Sequence, residues 1–307
     1  MAMEGVLRPG FIQLRVLDAD AALHHYRDRI GLDEVGRGDD GRIYLKGYDE
    51  FDRHSVILRE ADEPGMDVLG FKVLDERSLE TIAAKLDARG IAVSEIAAGE
   101  QPGVGRRIGF VTPSGHRLEL YADMALSEHG PMVENPEIWR DEPRGMRPVR
   151  FDHCLLYGGN LDETTALFTD CLGFSVSESG LDENGDIQVV FLSCSNKTHD
   201  IAFVRYPENG RFHHCAFWLD SWHDIGHAAD LMSRYEIRID IGPTRHGATR
   251  GQTIYFFDPS GNRNEVFAGG YMYYPDSPQR SWQPDQLGKN IFYYERALNE
   301  RFLTVVT

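Results

Sequence analysis

The segment TPSGHRLELYA at 112–122 returns as DPSGNRNEVFA at 258–268, 146 positions later, with Pro, Ser, Gly, Arg, Glu and Ala in matching places. Two further pairs precede it in the same order. FIQLRVLDADAALHHYRDRIGLDEV at 11–35 parallels FDHCLLYGGNLDETTALFTDCLGFSV at 151–176, with Phe11 over Phe151. LGFKVLDERSLETIAAKLDARGIAV at 69–93 parallels HHCAFWLDSWHDIGHAADLMSRYEIRI at 213–239. One such match can arise by chance; three in one order mean a duplicated chain. The fold must then be two copies of one unit, each with its own strands and helices.

Within each half a short alternating strand, 11–17 or 151–157, leads into an acidic helix start. The first helices, near 19–30 and 162–172, end at Gly31 and Gly173, because glycine accepts the left-handed conformation that closes a helix. Strands are expected at 42–46 with 55–59 and at 187–192 with 201–205. A strand–helix pair follows, capped by Asp75 or Asp220, then a strand, a Pro-Ser-Gly turn and a last strand carrying Glu119 or Glu265. This is an α+β fold of four βαβββ modules, two per half. The boundaries expected are 1–130 for the first half and 131–149 for a linker bearing Pro131, Pro136, Pro143 and Pro148. The second half then occupies 150–270, and 271–307 is a C-terminal extension with a helix near 285–300 that packs on it.

Charge narrows the function. With 49 acidic against 32 basic residues the net charge is −17, which repels phosphate backbones and anionic lipid, so neither nucleic acid nor membrane is an expected partner. No apolar run approaches the roughly 20 residues of a membrane span. MAMEGVLRPG lacks the basic start and apolar core of a secretory leader. Cys154, Cys171, Cys194 and Cys215 follow no zinc or redox spacing, and a reduced, cytoplasmic setting is the simplest expectation.

The duplication also supplies an internal control, because residues needed only for folding tend to appear in both copies. Aligned by sequence, Phe151-Asp152-His153 lies over Phe11-Ile12-Gln13, His213-His214 over Val68-Leu69, and Glu265 over Glu119. The second half therefore adds histidines at strand positions where the first has none. Two imidazoles and a carboxylate on strands match the donor set of non-haem Fe(II) oxygenases, which leaves coordination positions open. Strand alternation groups His153 with Phe151 and Leu155, and His214 with Phe212, Ala216 and Trp218, turning Cys154 and Cys215 away. It does not choose between His213 and His214. The competing reading is hydrogen-bonded core histidines, and Glu119 shows that the carboxylate position tolerates an acid without them.

Several segments carry a resemblance: VLRPGFIQLRVLD at 6–18, LREADEPGMD at 58–67, RFDH at 150–153, KTHDIAF at 197–203, DIGPTRHG at 240–247, TIYFFDPSGNRNEVF at 253–267, and LGKNIFYYERALNERFLTVVT at 287–307. Over essentially its whole length the chain resembles the extradiol ring-cleaving dioxygenases of the vicinal oxygen chelate superfamily, and among them the catechol 2,3-dioxygenases. The resemblance implies the vicinal-oxygen-chelate fold and Fe(II) held by His153, His214 and Glu265, a donor set that Mn(II) also suits. It implies His199 as the acid–base histidine, His246 as a hydrogen-bond partner of the bound catecholate, and Tyr255 as a hydroxyl beside the substrate oxygen. Catechol-type substrates and O₂, a ring-opened 2-hydroxymuconic semialdehyde-type product and a homotetramer are implied with them.

On the residues alone, His199 and His246 would be solvated surface histidines and Tyr255 a core strand residue. Ala248, in the loop between His246 and Tyr255, is expected to line the substrate pocket, the alternative being that it faces solvent. Two rival readings of the fold stand against ring cleavage. A binding protein predicts a missing ligand or acid–base group. A metal-dependent isomerase or thiol transferase predicts ligands drawn from both halves.

Overall fold

In a computed structural model of the chain, residues 5–274 and 276–307 are described. Residues 1–4, the start of the segment read as lacking a leader, and Pro275 lie outside the described residues. The first half runs β1 (Val6–Val16), α1 (Ala19–Leu23) continued by a π-helical stretch (His24–Ile30) that Gly31 caps, β2 (Asp33–Arg37), β3 (Ile43–Lys46), β4 (Val56–Glu60), then β5 (Gly65–Val73), α2 (Glu76–Ala88), β6 (Ser94–Ile96), β7 (Arg107–Val111) and β8 (Arg117–Tyr121). The second runs β9 (Arg150–Gly158), α3 (Leu161–Asp170), β10 (Ser175–Leu181), β11 (Ile187–Ser193), β12 (Ile201–Arg205), then β13 (Arg211–Trp218), α4 (Trp222–Arg234), β14 (Ile239–Arg245), β15 (Gly251–Phe257) and β16 (Arg263–Gly269). Each half is two βαβββ modules, as the repeat requires.

The sheets show the same duplication. The first has strand order β2-β3-β4-β1-β5-β8-β7-β6, and the second repeats it as β10-β11-β12-β9-β13-β16-β15-β14. The tail adds β17 (Arg280–Trp282), which pairs with β10, and two short helices, α5 (Leu287–Ile291) and α6 (Glu300–Thr304). The single helix expected near 285–300 is therefore broken. Phe292 leaves α5 in an extended conformation, and its ring packs 5.0 Å from Phe302 of α6.

One face of each sheet carries the helices and shares one large apolar core, in which Leu14, Phe71 and Leu120 of the first half join Leu156, Phe203 and Phe217 of the second. Helix α2 faces it with Leu79, Ile82 and Leu86, a helical spacing, behind an N-cap in which Asp75 accepts from the Ser78 amide. Helix α4 begins at Ser221, not Asp220. The Ser221 hydroxyl accepts from the Asp224 amide, whereas Asp220 accepts from Tyr48 of the first half. The other face of each sheet encloses a smaller cluster, around Phe11, Tyr44 and Tyr121 in one half and Leu155, Phe191 and Ala248 in the other.

Two β-bulges interrupt the β9–β13 pair. Phe212 pairs with Leu156 but His214 with Leu155, and Ala216 pairs with His153 but Phe217 with Phe151. His213 and Asp152 are thus the extra residues. A bulge resets strand alternation, so Phe151 and Phe212 pack in the helix-side core rather than beside His153 and His214, contrary to simple alternation.

Candidate metal centre

Three central strands of the second sheet deliver one side chain each to a common point. Walking across the register, Glu265 on β16 pairs with Ala216 on β13, which pairs with His153 on β9. His214 lies two residues before Ala216 and shares its face. Their ligand atoms all lie within 4.8 Å of one another, and all three residues are buried. Glu265 Oε2 stands 3.0 Å from His153 Nε2 and 3.1 Å from His214 Nε2. Its other oxygen accepts a hydrogen bond from Thr253. His214, not His213, is the histidine that faces this point.

The bulged residues support the ligating ones. Asp152 Oδ2 lies 2.9 Å from His153 Nδ1, so that nitrogen carries the proton and Nε2 presents a lone pair. Asp152 is itself held by Lys197 and Arg150, each at 3.1 Å. His213 Nδ1 lies 2.7 Å from His214 Nδ1, while His213 Nε2 lies 2.7 Å from the Phe302 carbonyl. His214 Nε2, the ring nitrogen turned away from His213, faces Glu265. Arg263 Nη1 also lies 2.7 Å from His213 Nε2 and donates to the Val305 carbonyl.

Electrostatics fits a cation between these groups. Burial raises the Glu265 carboxyl, but His214 and His153 outweigh that and hold it well below the usual carboxylate range. Burial pushes His214 down to about 4, which keeps it neutral and available as a ligand. Burial also opposes a charge on His153, yet Asp152 and Glu265 on its two sides pull it above the ordinary histidine value. The buried carboxylate and the two imidazoles whose Nε2 atoms face it form a donor set that suits a divalent cation.

The other expected residues gather around the same narrow cavity, about 50 Å³ in volume. His199 is buried rather than solvated, its ring 4.0 Å from that of His153 and edge-on to Phe191. Burial, reinforced by His153, holds it well below the ordinary histidine value. His246 Nδ1 donates to the Ile291 carbonyl, so its Nε2, 2.8 Å from Tyr255 Oη, accepts from the tyrosine. Ala248 is 1% exposed and lines the cavity; it does not face solvent. The residues not anticipated from sequence are Thr253, Asp152, Lys197 and Asn290, and His213 stands behind His214 instead of facing the centre. The one local signal was an aspartate beside a histidine inside an apolar strand.

The first half lacks this centre in an instructive way. The equivalent walk from Glu119 through Gly70 reaches Phe11, so Phe11, not Gln13, holds the place of His153. By the same register Val68, not Leu69, replaces His214. His54 stands two residues before Val56 as His199 stands before Ile201, so the first half keeps that histidine. It is fully buried and faces Gln101. In the place of Thr253 stands Arg107, whose Nε lies 2.8 Å from Glu119. A guanidinium thus neutralises the carboxylate that a metal would otherwise meet.

Comparison with known proteins agrees with this geometry. Residues 66–125 match the model of the catechol 2,3-dioxygenase-like N-terminal domain, and residues 150–266 that of the Glyoxalase/Bleomycin resistance protein/Dioxygenase superfamily. A metapyrocatechase of Pseudomonas sp. (strain CF600) is 55% identical over 305 residues, 99% of each chain. A manganese-dependent 2,3-dihydroxybiphenyl 1,2-dioxygenase of Geobacillus genomosp. 3 is 31% identical over 93% of this chain and 92% of its own. The crystal structure of the 2,3-dioxygenase LapB from Pseudomonas sp. KL28 superposes with a TM-score of 0.89 at 50% identity, covering 92% of this chain and 99% of that one. The chain belongs to the metapyrocatechase family of extradiol ring-cleaving dioxygenases, within the Glyoxalase/Bleomycin resistance protein/Dioxygenase superfamily.

Proposed function

We propose that this enzyme cleaves catechol and substituted catechols beside the diol with O₂, giving 2-hydroxymuconic semialdehyde-type products, with Fe(II) as its metal. One observation carries the reading: a single buried cavity is walled by His153, His214 and Glu265 together with His199, His246 and Tyr255. His153 Nε2, His214 Nε2 and Glu265 Oε2 would hold the ion. Fe(II) there supplies the electron transfer that lets triplet O₂ react with a closed-shell catecholate. Mn(II) suits the same donors, as the name of the Geobacillus relative illustrates.

The remaining groups handle the substrate. His199, neutral because it is buried, takes a proton from the catechol on its imidazole nitrogen and returns one later in the reaction. With its proton on the His246 Nε2 side, Tyr255 Oη is left to accept a hydrogen bond from a catechol hydroxyl. Leu155, Phe191 and Phe302 hold the ring and exclude water. Residues 1–130 are read as a non-catalytic half, 131–149 as a linker, 150–270 as the catalytic half, and 271–307 as an extension completing its cavity.

Assembly as a homotetramer in a reducing cytoplasm is part of the same proposal. Leu126, Val133 and Ile138 are 68%, 79% and 85% exposed on and beside the linker, apolar side chains of the kind that a subunit contact covers. All four cysteines are free. Among the described residues no helix is long and apolar enough to cross a membrane.

The direct test is to purify the protein anaerobically, assay its metal, and add catechol in air. A yellow ring-opened product formed in proportion to iron is expected; iron-loaded protein that leaves catechol unchanged overturns the reading. A second expectation concerns pocket size. Ala248→Leu adds bulk to the cavity wall and, at roughly 1–3 kcal/mol per methylene, lowers kcat/KM on methyl- or chloro-substituted catechols at least about tenfold while sparing catechol. Equal losses on both substrates count against Ala248 as a size filter.

A further inference from the structure

Asn290 is the exception in the cavity wall. It is fully buried, lines the cavity, and neither its amide nitrogen nor its amide oxygen has a hydrogen-bond partner. Its neighbours around the cavity include Leu155, Phe191, Val204, Ala248, Ile291 and Phe302. An apolar side chain of similar volume would fill the place without leaving a buried carboxamide unpaired, which is costly. The amide is not needed to fix the backbone. The Asn290 carbonyl already accepts from the Gly247 amide at 2.8 Å and the Ala248 amide at 2.9 Å, and the next carbonyl, Ile291, accepts from His246. Helix α5 is therefore clamped to the 246–248 loop by main-chain bonds, and the side chain is held in a defined position with both polar atoms unused.

Building on the ring-cleavage reading, we propose that Asn290 is a specificity-determining residue whose carboxamide hydrogen-bonds an oxygen-bearing substituent on the catechol ring, such as a hydroxymethyl group. The carboxamide can both donate to and accept from a hydroxyl. The vicinal diol is engaged by His199, His246 and Tyr255 with the metal-binding side chains, none of which hydrogen-bonds the Asn290 amide. A site built to hydrogen-bond a substituent discriminates against its isostere lacking that group, because the protein's buried polar atoms are then unpaired.

The test measures kcat/KM for catechol, 4-methylcatechol and 4-(hydroxymethyl)catechol with the iron-loaded wild type, Asn290→Leu and Asn290→Ala. The readout is the ratio of the hydroxymethyl to the methyl substrate within each preparation, which does not depend on how much of a variant folds or retains iron. A fall in that ratio of at least tenfold in both variants is expected. A ratio unchanged within twofold overturns the assignment of Asn290, and the amide is then satisfied by trapped water. Wild-type enzyme that leaves all three catechols uncleaved overturns the ring-cleavage reading instead, and with it this proposal.

Discussion

Alanine at His153, His214 or Glu265 is expected to strip the metal and reduce turnover to background while leaving the fold in place. Each of these side chains points one ligand atom at a common centre, and each is delivered by a strand whose core face is occupied by other residues. Glu119→Gln is the control in the other half. It should retain metal and turnover at wild-type levels, because Glu119 faces Arg107 rather than two imidazoles. It should instead lower stability, by about 1–3 kcal/mol, since it removes one of the two carboxylates, Glu119 and Glu100, that meet the buried Arg107 guanidinium. Metal content per chain, turnover and melting temperature on the four variants separate the two roles. Metal loss in Glu119→Gln with retention in Glu265→Ala would place the centre in the wrong half.

His199→Asn should keep the metal and still bind catechol, yet turn over about 10²–10⁴ times more slowly, the usual worth of a positioned proton-transfer group. The ring lies against His153 but contributes no atom to the ligand set, so metal analysis of the variant should be unchanged. The loss should fall on kcat. A raised KM with unchanged kcat would make His199 a binding residue and leave proton transfer to another group.

The four βαβββ modules were legible because duplication printed the same strand, helix and turn signals twice, and the helix-ending glycines and Asp75 sit where local chemistry requires them. The metal-binding set was legible as a difference between the halves. What alignment by eye misplaced was the exact partner of each residue. Phe151 lies over Phe11 in sequence, but strand register puts His153 over Phe11, and His54 over His199. Nothing in the local sequence marks the strand register or the bulges, because an extra residue in one strand is defined by its partner. The same bulges explain the roles of Asp152 and His213: an inserted residue can turn toward its neighbour's face, which strict alternation forbids. Asn290 and Phe302 were beyond reach for another reason. They enter the cavity from the tail, and contacts across that much of the chain are set by packing rather than by pattern.

Arg107 gives the two halves different dependence on their surroundings. One carries its counter-ion covalently, on its own backbone, and is complete as soon as it is translated. The other must acquire its counter-ion from the medium and can lose it again. With or without a metal, the second half shares one apolar core with a half whose carboxylate is already neutralised.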